Sequence, residues 1–140
     1  MPSVTEETTR LVLPSRTESV NQAAAAAGEV AKRSGLDEEA AYGIDMALRE
    51  AVTNALVHGN KRDESKTITV IFTSSPGALE IEVSDQGNGF DPGSVPDPTV
   101  GENVLKTSGR GIFFMRTFMD DVSWSRTAEG GTIVRLVKHT

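Results

Sequence analysis

A chain of 140 residues is near the modal size of one domain and long enough to bury about 70% of the surface its unfolded form exposes, so a single core is expected. With 37% hydrophobic and 24% charged residues and no long apolar run, the composition excludes both a disordered chain and a membrane-spanning helix. A net charge of −6 and a pI near 4.9 argue against broad contact with nucleic acid, which needs clustered Lys and Arg, while leaving room for one local patch that binds a small anion.

The start of the chain has neither the basic opening nor the apolar stretch of a signal peptide, and residues 1–9 are polar and expected to be flexible. The alternation in "TRLVLPS" predicts a short first strand before Pro14. From Thr17 the alanine-rich "ESVNQAAAAAGEVAKR" predicts a helix that Gly35 ends, with alanine allowing another layer to approach closely. A second helix is expected from Asp37, whose carboxylate suits an N-cap, to the Gly59-Asn60 turn. Its apolar residues Ile44, Ala47, Leu48, Ala51, Val52 and Ala55 recur at the spacing of one buried face. Two β-hairpins follow, residues 66–85 turning at Ser-Ser-Pro-Gly and residues 121–139 turning at Glu-Gly-Gly. Between them lie a glycine- and proline-rich segment, residues 86–110, long enough to suggest a lid, and a short helix over residues 111–119. This order predicts one domain over residues 10–140, a two-layer α/β (α+β) sandwich with helices on one face of a mixed, mostly antiparallel sheet.

Three stretches carry polar groups that such a core does not need. On the second helix Glu50 and Asn54 fall about 40° apart at the border of the apolar stripe. A carboxylate there can take a proton from a hydroxyl, and a carboxamide one turn on can offer its oxygen to Mg²⁺, though a solvated helix edge would look the same. His58 follows at the same spacing and suits a helix C-terminus, so no catalytic role falls to it.

In "SDQGNGF", Asp85 ends a strand and can accept a hydrogen bond from a flat ligand such as adenine through its exocyclic amine, with Gly87 and Gly89 admitting the ligand close to the backbone. The alternative is a turn whose Asp bonds its own backbone. In "SGRGIFFM", Gly109 and Gly111 precede a helix whose free N–H groups favour phosphate, Arg110 adds charge, and a simple cap is the competing reading. Absence of cysteine excludes disulfides, thiol catalysis and cysteine-ligated zinc and fits a reducing compartment; a cytoplasmic location is expected.

Taken together and in order, the Glu-x-x-x-Asn of "REAVTNALVHGN", the Asp-x-Gly-x-Gly of "SDQGNGF", the Gly-x-Gly of "SGRGIFFM" and the closing "GGTIV" resemble the GHKL, or Bergerat, histidine-kinase-like ATPase fold. Over residues 10–138 the chain is most similar to the anti-sigma-factor serine/threonine kinases of that superfamily. The resemblance implies an ATP-dependent protein serine kinase that phosphorylates a small antagonist protein and alternatively binds a sigma factor, with no nucleic acid or membrane partner and with a homodimer as a common assembly. It implies Glu50 as general base, Asn54 as Mg²⁺ ligand, Asp85 as adenine reader, Gly87, Gly89, Gly109 and Gly111 in the nucleotide loops, and Thr132 as a support of the adenine site. Arg110, between the lid glycines, and Arg49, just before the acid, depart from the usual pattern. Two rivals use the same pocket: a nucleotide-holding module that sequesters a partner without kinase activity, and a histidine-kinase ATP domain working in trans.

Overall fold

The computed structural model describes residues 6–87 and 115–140. Its elements are β1 (Glu7–Pro14), α1 (Glu18–Arg33), α2 (Glu38–Asn54), a π-helical turn (Ala55–Gly59), β2 (Thr67–Ser75), β3 (Ala78–Ser84), β4 (Asp121–Arg126) and β5 (Thr132–His139). The strands form one five-stranded sheet in the order β1-β2-β3-β5-β4. Every pairing among the described residues is antiparallel, so the expected parallel admixture does not occur there. Each of the two hairpins supplies a neighbouring pair, and β3 joins them by pairing with β5.

The first strand begins earlier than the alternation of its apolar residues predicts. Glu7, Thr8 and Thr9 pair with Ser74, Thr73 and Phe72, which moves the ordered boundary from residue 10 back to residue 7. Polar side chains hide this part of the strand from a hydrophobicity pattern; threonines on a pleated edge need no burial to favour extended backbone.

Local signals set the helix ends. Asp37 Oδ1 accepts from the Ala40 backbone N–H at 2.8 Å, the cap expected for α2. At the end of α1 Gly35 takes a φ of 79°, while its own N–H reaches Lys32 O and the Leu36 N–H reaches Ala31 O, the paired bonds of a Schellman termination. In the β2–β3 hairpin the register closes at Ser75 and Ala78, leaving Pro76 and Gly77 as the turn, with Gly77 at a φ of 92°.

Both helices pack on one face of the sheet. β2 buries Ile68, Val70 and Phe72, β3 buries Leu79, Ile81 and Val83, and β5 adds Val134 and Leu136, the alternation of a sheet covered on one side. Over them lie Ile44, Leu48 and Val52 of α2 and Ala23, Ala27, Val30 and Ala31 of α1. Small α1 side chains let that helix approach, as the alanine run implied. Full burial of a residue such as Leu48 or Phe72 contributes about 1.5–3 kcal/mol, which makes this seam the main source of stability.

The second helix does not run as a regular α-helix to Gly59. After Asn54 the backbone widens into a π turn in which the Asn60 N–H reaches Ala55 O at 2.7 Å, five residues back. Lys61 and Arg62 then adopt left-handed φ values of 53° and 61°, and the Arg62 N–H bonds Leu56 O at 2.8 Å. Two consecutive non-glycine residues in that region are costly, about 1–3 kcal/mol each, so the surrounding bonds must hold the turn in place.

Candidate functional site

Glu50 and Asn54 both lie within the α-helical part of α2, half-buried and on one side of it. Neither side chain has a hydrogen-bond or ion-pair partner among the described residues, which leaves a carboxylate and a carboxamide free to meet a ligand. His58 falls in the π turn that follows.

The helix leads directly to the strand end that carries Asp85. A Cβ built on Gly59, the last residue of the π turn, would overlap the Asp85 carboxylate, so the helix terminus and the carboxylate are in direct packing contact. Counted along the chain, Asn54 stands just before the π turn that ends at this contact, and Glu50 one α-helical turn earlier.

Asp85 is 7% exposed. Its Oδ1 accepts from the Gly87 N–H at 3.0 Å and from the Thr132 N–H at 3.1 Å. The backbone repeats the link, the Asp85 N–H donating to Thr132 O at 3.0 Å. The Gly87 bond is the local Asp-to-backbone turn that the alternative reading foresaw, yet it uses one oxygen only. Oδ2 has no donor among the described residues. Burial pushes the Asp85 carboxyl above its ordinary value of 3.8, against the two backbone N–H groups and Lys66, which favour the charged form. Oδ2 is thus the carboxylate oxygen left open to accept a hydrogen bond from a ligand donor.

Thr132 is thus joined to Asp85 by two main-chain contacts and is itself buried. Gly87 joins them too, but for a different reason from the one expected. Its φ is not left-handed; a Cβ there would strike the Gly59 carbonyl, so glycine lets two stretches of backbone touch. Gly131 does the same against the Asp85 carbonyl. Gly89, Gly109, Arg110, Gly111, most of the glycine-rich segment and the first four residues of the helix expected over 111–119 lie outside the described residues.

Sequence reasoning missed three contributors. Gly59 and Gly131 read as ordinary turn residues, and only the fold brings each against Asp85. Asn60, fully buried, read as a helix stop, although a buried Asn always requires partners. Its Oδ1 accepts from the Gln86 N–H at 2.8 Å and its Nδ2 donates to Thr67 O at 3.0 Å. Arg49 points elsewhere: its Nε bonds Asp45 Oδ2 at 3.0 Å and its Nη1 bonds Asn21 Oδ1 at 2.8 Å, linking α2 to α1.

The donor set also decides what kind of metal fits. No cluster of three or more His, Cys, Asp or Glu side chains suited to a metal exists among the described residues. A lone carboxamide at Asn54 matches Mg²⁺, a cation that keeps several waters and takes other oxygens from phosphates; it does not match zinc.

Comparison with known proteins agrees with this geometry. A family described as histidine kinase-like ATPase domain matches residues 13–138. The serine-protein kinase RsbW of Listeria monocytogenes serovar 1/2a is 34% identical over 118 residues, covering 80% of this chain and 75% of the relative. The anti-sigma F factor of Heyndrickxia coagulans is 36% identical over 101 residues, covering 69% of this chain and 68% of the relative. Among solved structures, the RsbU and RsbW domains of Rv1364c from Mycobacterium tuberculosis superpose with a TM-score of 0.67 at 18% identity, over 94% of this chain and 31% of that one. The mycobacterial sensor histidine kinase MprB gives 0.54 at 16% identity, over 96% of this chain and 97% of that one. At those identities the structures speak for the fold alone. Through the match over residues 13–138, the chain belongs to the histidine kinase-like ATPase domain family, and its similarity within that family runs to the anti-sigma-factor serine kinases.

Proposed function

We propose that this chain is an ATP-dependent protein serine kinase that acts as an anti-sigma-factor switch. The observation that carries the reading is the contact of Gly59 with Asp85, which sets a half-satisfied buried carboxylate at the end of the helix that holds Glu50 and Asn54. Asp85 Oδ2 takes the adenine amine, and Asn54 offers its oxygen to Mg²⁺. Gly89, Gly109, Arg110 and Gly111 contact the phosphates in this reading. The domain runs from the first strand to the end of the chain.

Mg²⁺ held at Asn54 would supply charge neutralisation for the phosphates. Glu50 accepts the proton of an acceptor serine hydroxyl as that oxygen bonds to the γ-phosphorus and the bond to the bridging oxygen breaks, releasing ADP. Phosphoryl transfer needs mainly alignment and charge stabilisation, so one base, one metal ligand and one base reader on a rigid helix–strand junction suffice. The acceptor is a small antagonist protein, the alternative partner a sigma factor, and the assembly a homodimer in the cytoplasm. No helix among the described residues is long and apolar enough to cross a membrane.

The test is transfer of label from radioactive ATP to a cognate antagonist. Acid-stable label on serine that disappears in Glu50→Gln, while ATP affinity stays within about threefold of wild type, supports the kinase. No label with a partner that demonstrably binds leaves only the sequestering module. Acid-labile label on a partner histidine identifies a histidine-kinase domain working in trans.

A further inference from the structure

The β2–β3 ladder ends in an unusual way. Its register runs from the Ser75–Ala78 turn to Thr69 opposite Ser84, and two residues further along that register Thr67 meets Gln86. An antiparallel pair at this position would exchange two backbone hydrogen bonds. None forms. Instead the Gln86 N–H donates to Asn60 Oδ1 at 2.8 Å, Asn60 Nδ2 donates to Thr67 O at 3.0 Å, and the Thr67 N–H donates to the Gln86 side-chain oxygen at 2.6 Å. The Asn60 carboxamide is inserted between two backbone groups that would otherwise pair.

A carboxamide suits that place, because its oxygen accepts from an N–H on one side while its nitrogen donates to a C=O on the other. Asn60 is also held firmly where it stands. It is fully buried, its N–H is bound to Ala55 O through the π turn, and its carbonyl accepts from the Asp63 N–H. Each end of the inserted link is one residue from the site. Gly59, which touches Asp85, precedes Asn60, and Asp85 precedes Gln86.

We infer that Asn60 is a positioning residue for base recognition: by wedging β3 away from β2 at Gln86, it turns Asp85 toward Gly59 and Thr132 and fixes where Oδ2 meets the purine amine. This deepens the proposed function and rests on its adenine assignment. Asn60 touches no nucleotide itself. Its effect is on selectivity for the amine, with the phosphates untouched.

The experiment compares affinities for ATP and for purine riboside triphosphate, which lacks only the exocyclic amine, by calorimetry with Mg²⁺. Asn60→Asp keeps the shape but sets a carboxylate oxygen against the Thr67 carbonyl. It is expected to weaken ATP about tenfold and move the amine-free nucleotide less than about threefold, so that the preference for ATP collapses. Equal loss for both nucleotides, or an unchanged preference, overturns the inference. Should Asn60→Asp fail to fold, Gln86→Ala decides: this exposed side chain closes the second half of the link, and removing it is expected to lower the preference in the same direction by a few fold. An unchanged preference there overturns the inference as well. A wild type with no preference for ATP, or one whose preference survives Asp85→Asn, overturns the adenine reading itself, an outcome distinct from failure at Asn60.

Discussion

Gly59 and Asp85 occupy one volume: the carboxylate of the second fills the place a side chain on the first would take. A helix end and a strand end distant in sequence therefore meet at full contact, and glycine is obligatory on the helix side. Gly59→Ala is expected to cost about 1–3 kcal/mol in urea unfolding, because a methyl group must displace either the carboxylate or the π turn. It is also expected to weaken ATP binding, since either displacement moves Oδ2. Normal ATP affinity in a folded Gly59→Ala protein would refute the contact.

Asp85 links stability to pH in a direction opposite to that of most paired carboxylates. Burial raises its pKa in the fold above the ordinary 3.8, so the native state holds the proton more tightly than the unfolded chain does. Stability from this group is complete below the unfolded value and is lost as pH rises from there through the folded pKa. Asp85→Asn has no such loss. In the absence of nucleotide it is expected to match or exceed wild-type stability at neutral pH, with the difference shrinking on acidification, while ATP binding falls tenfold or more, about 1.4 kcal/mol. Unfolding curves of both proteins from acid to neutral pH check this; a constant difference would contradict it.

Much of this architecture is legible locally. Asp37, Gly35 and the Pro76-Gly77 turn act on neighbours within a few residues, so their chemistry reads directly from the chain and the structure places the caps and turns where they were expected. The site is a different matter. Asp85 and Thr132 are 47 positions apart, and Asn60 and Gln86 are 26 apart, so nothing near either residue announces its partner. Residue types still marked Glu50, Asn54 and Asp85 as polar groups that a core does not need. What stayed hidden was the supporting frame of Gly59, Asn60 and Gly131, whose small size or amide has meaning only once two distant backbones meet. The π turn was hidden too, since its residues suit an α-helix equally well.

The metal contact proposed for Asn54 can be separated from nucleotide binding. The Asn54 carboxamide has no partner among the described residues, so Asn54→Ala removes no internal bond there and is expected to change stability by less than about 1 kcal/mol. The Mg²⁺ concentration for half-maximal phosphoryl transfer is expected to rise about tenfold, the effect of losing one contact worth about 1.4 kcal/mol. ATP binding measured without divalent ion is expected to stay the same. A magnesium titration of turnover reads the first, and a shift in metal-free affinity would assign Asn54 to the nucleotide instead.

Ser15 provides a control that has no part in the proposed chemistry. The residue is 1% exposed and its hydroxyl has no hydrogen-bond partner among the described residues. Burying an unmet hydroxyl is unfavourable, so Ser15→Ala is expected to stabilise the protein by about 1 kcal/mol in denaturant unfolding, with ATP affinity unchanged. Destabilisation would mean that the hydroxyl has a partner after all.

Arg49 tests whether a residue beside the proposed base belongs to the reaction. On a helix, neighbouring residues point about 100° apart, and while Glu50 is left without a partner among the described residues, Arg49 is tied to Asp45 on its own helix and to Asn21 on α1. Its side chain is 42% exposed and that of Asp45 34%, so water screens the pair and the link is worth less than about 1 kcal/mol. Arg49→Ala is accordingly expected to shift the unfolding midpoint slightly and leave kcat and the KM for ATP within about twofold of wild type. Raised salt should weaken wild type toward the variant, because screening acts on the same charges. A large fall in kcat with KM preserved would show instead that the guanidinium reaches the transferring phosphoryl group, and the α1–α2 link would then be only its resting position.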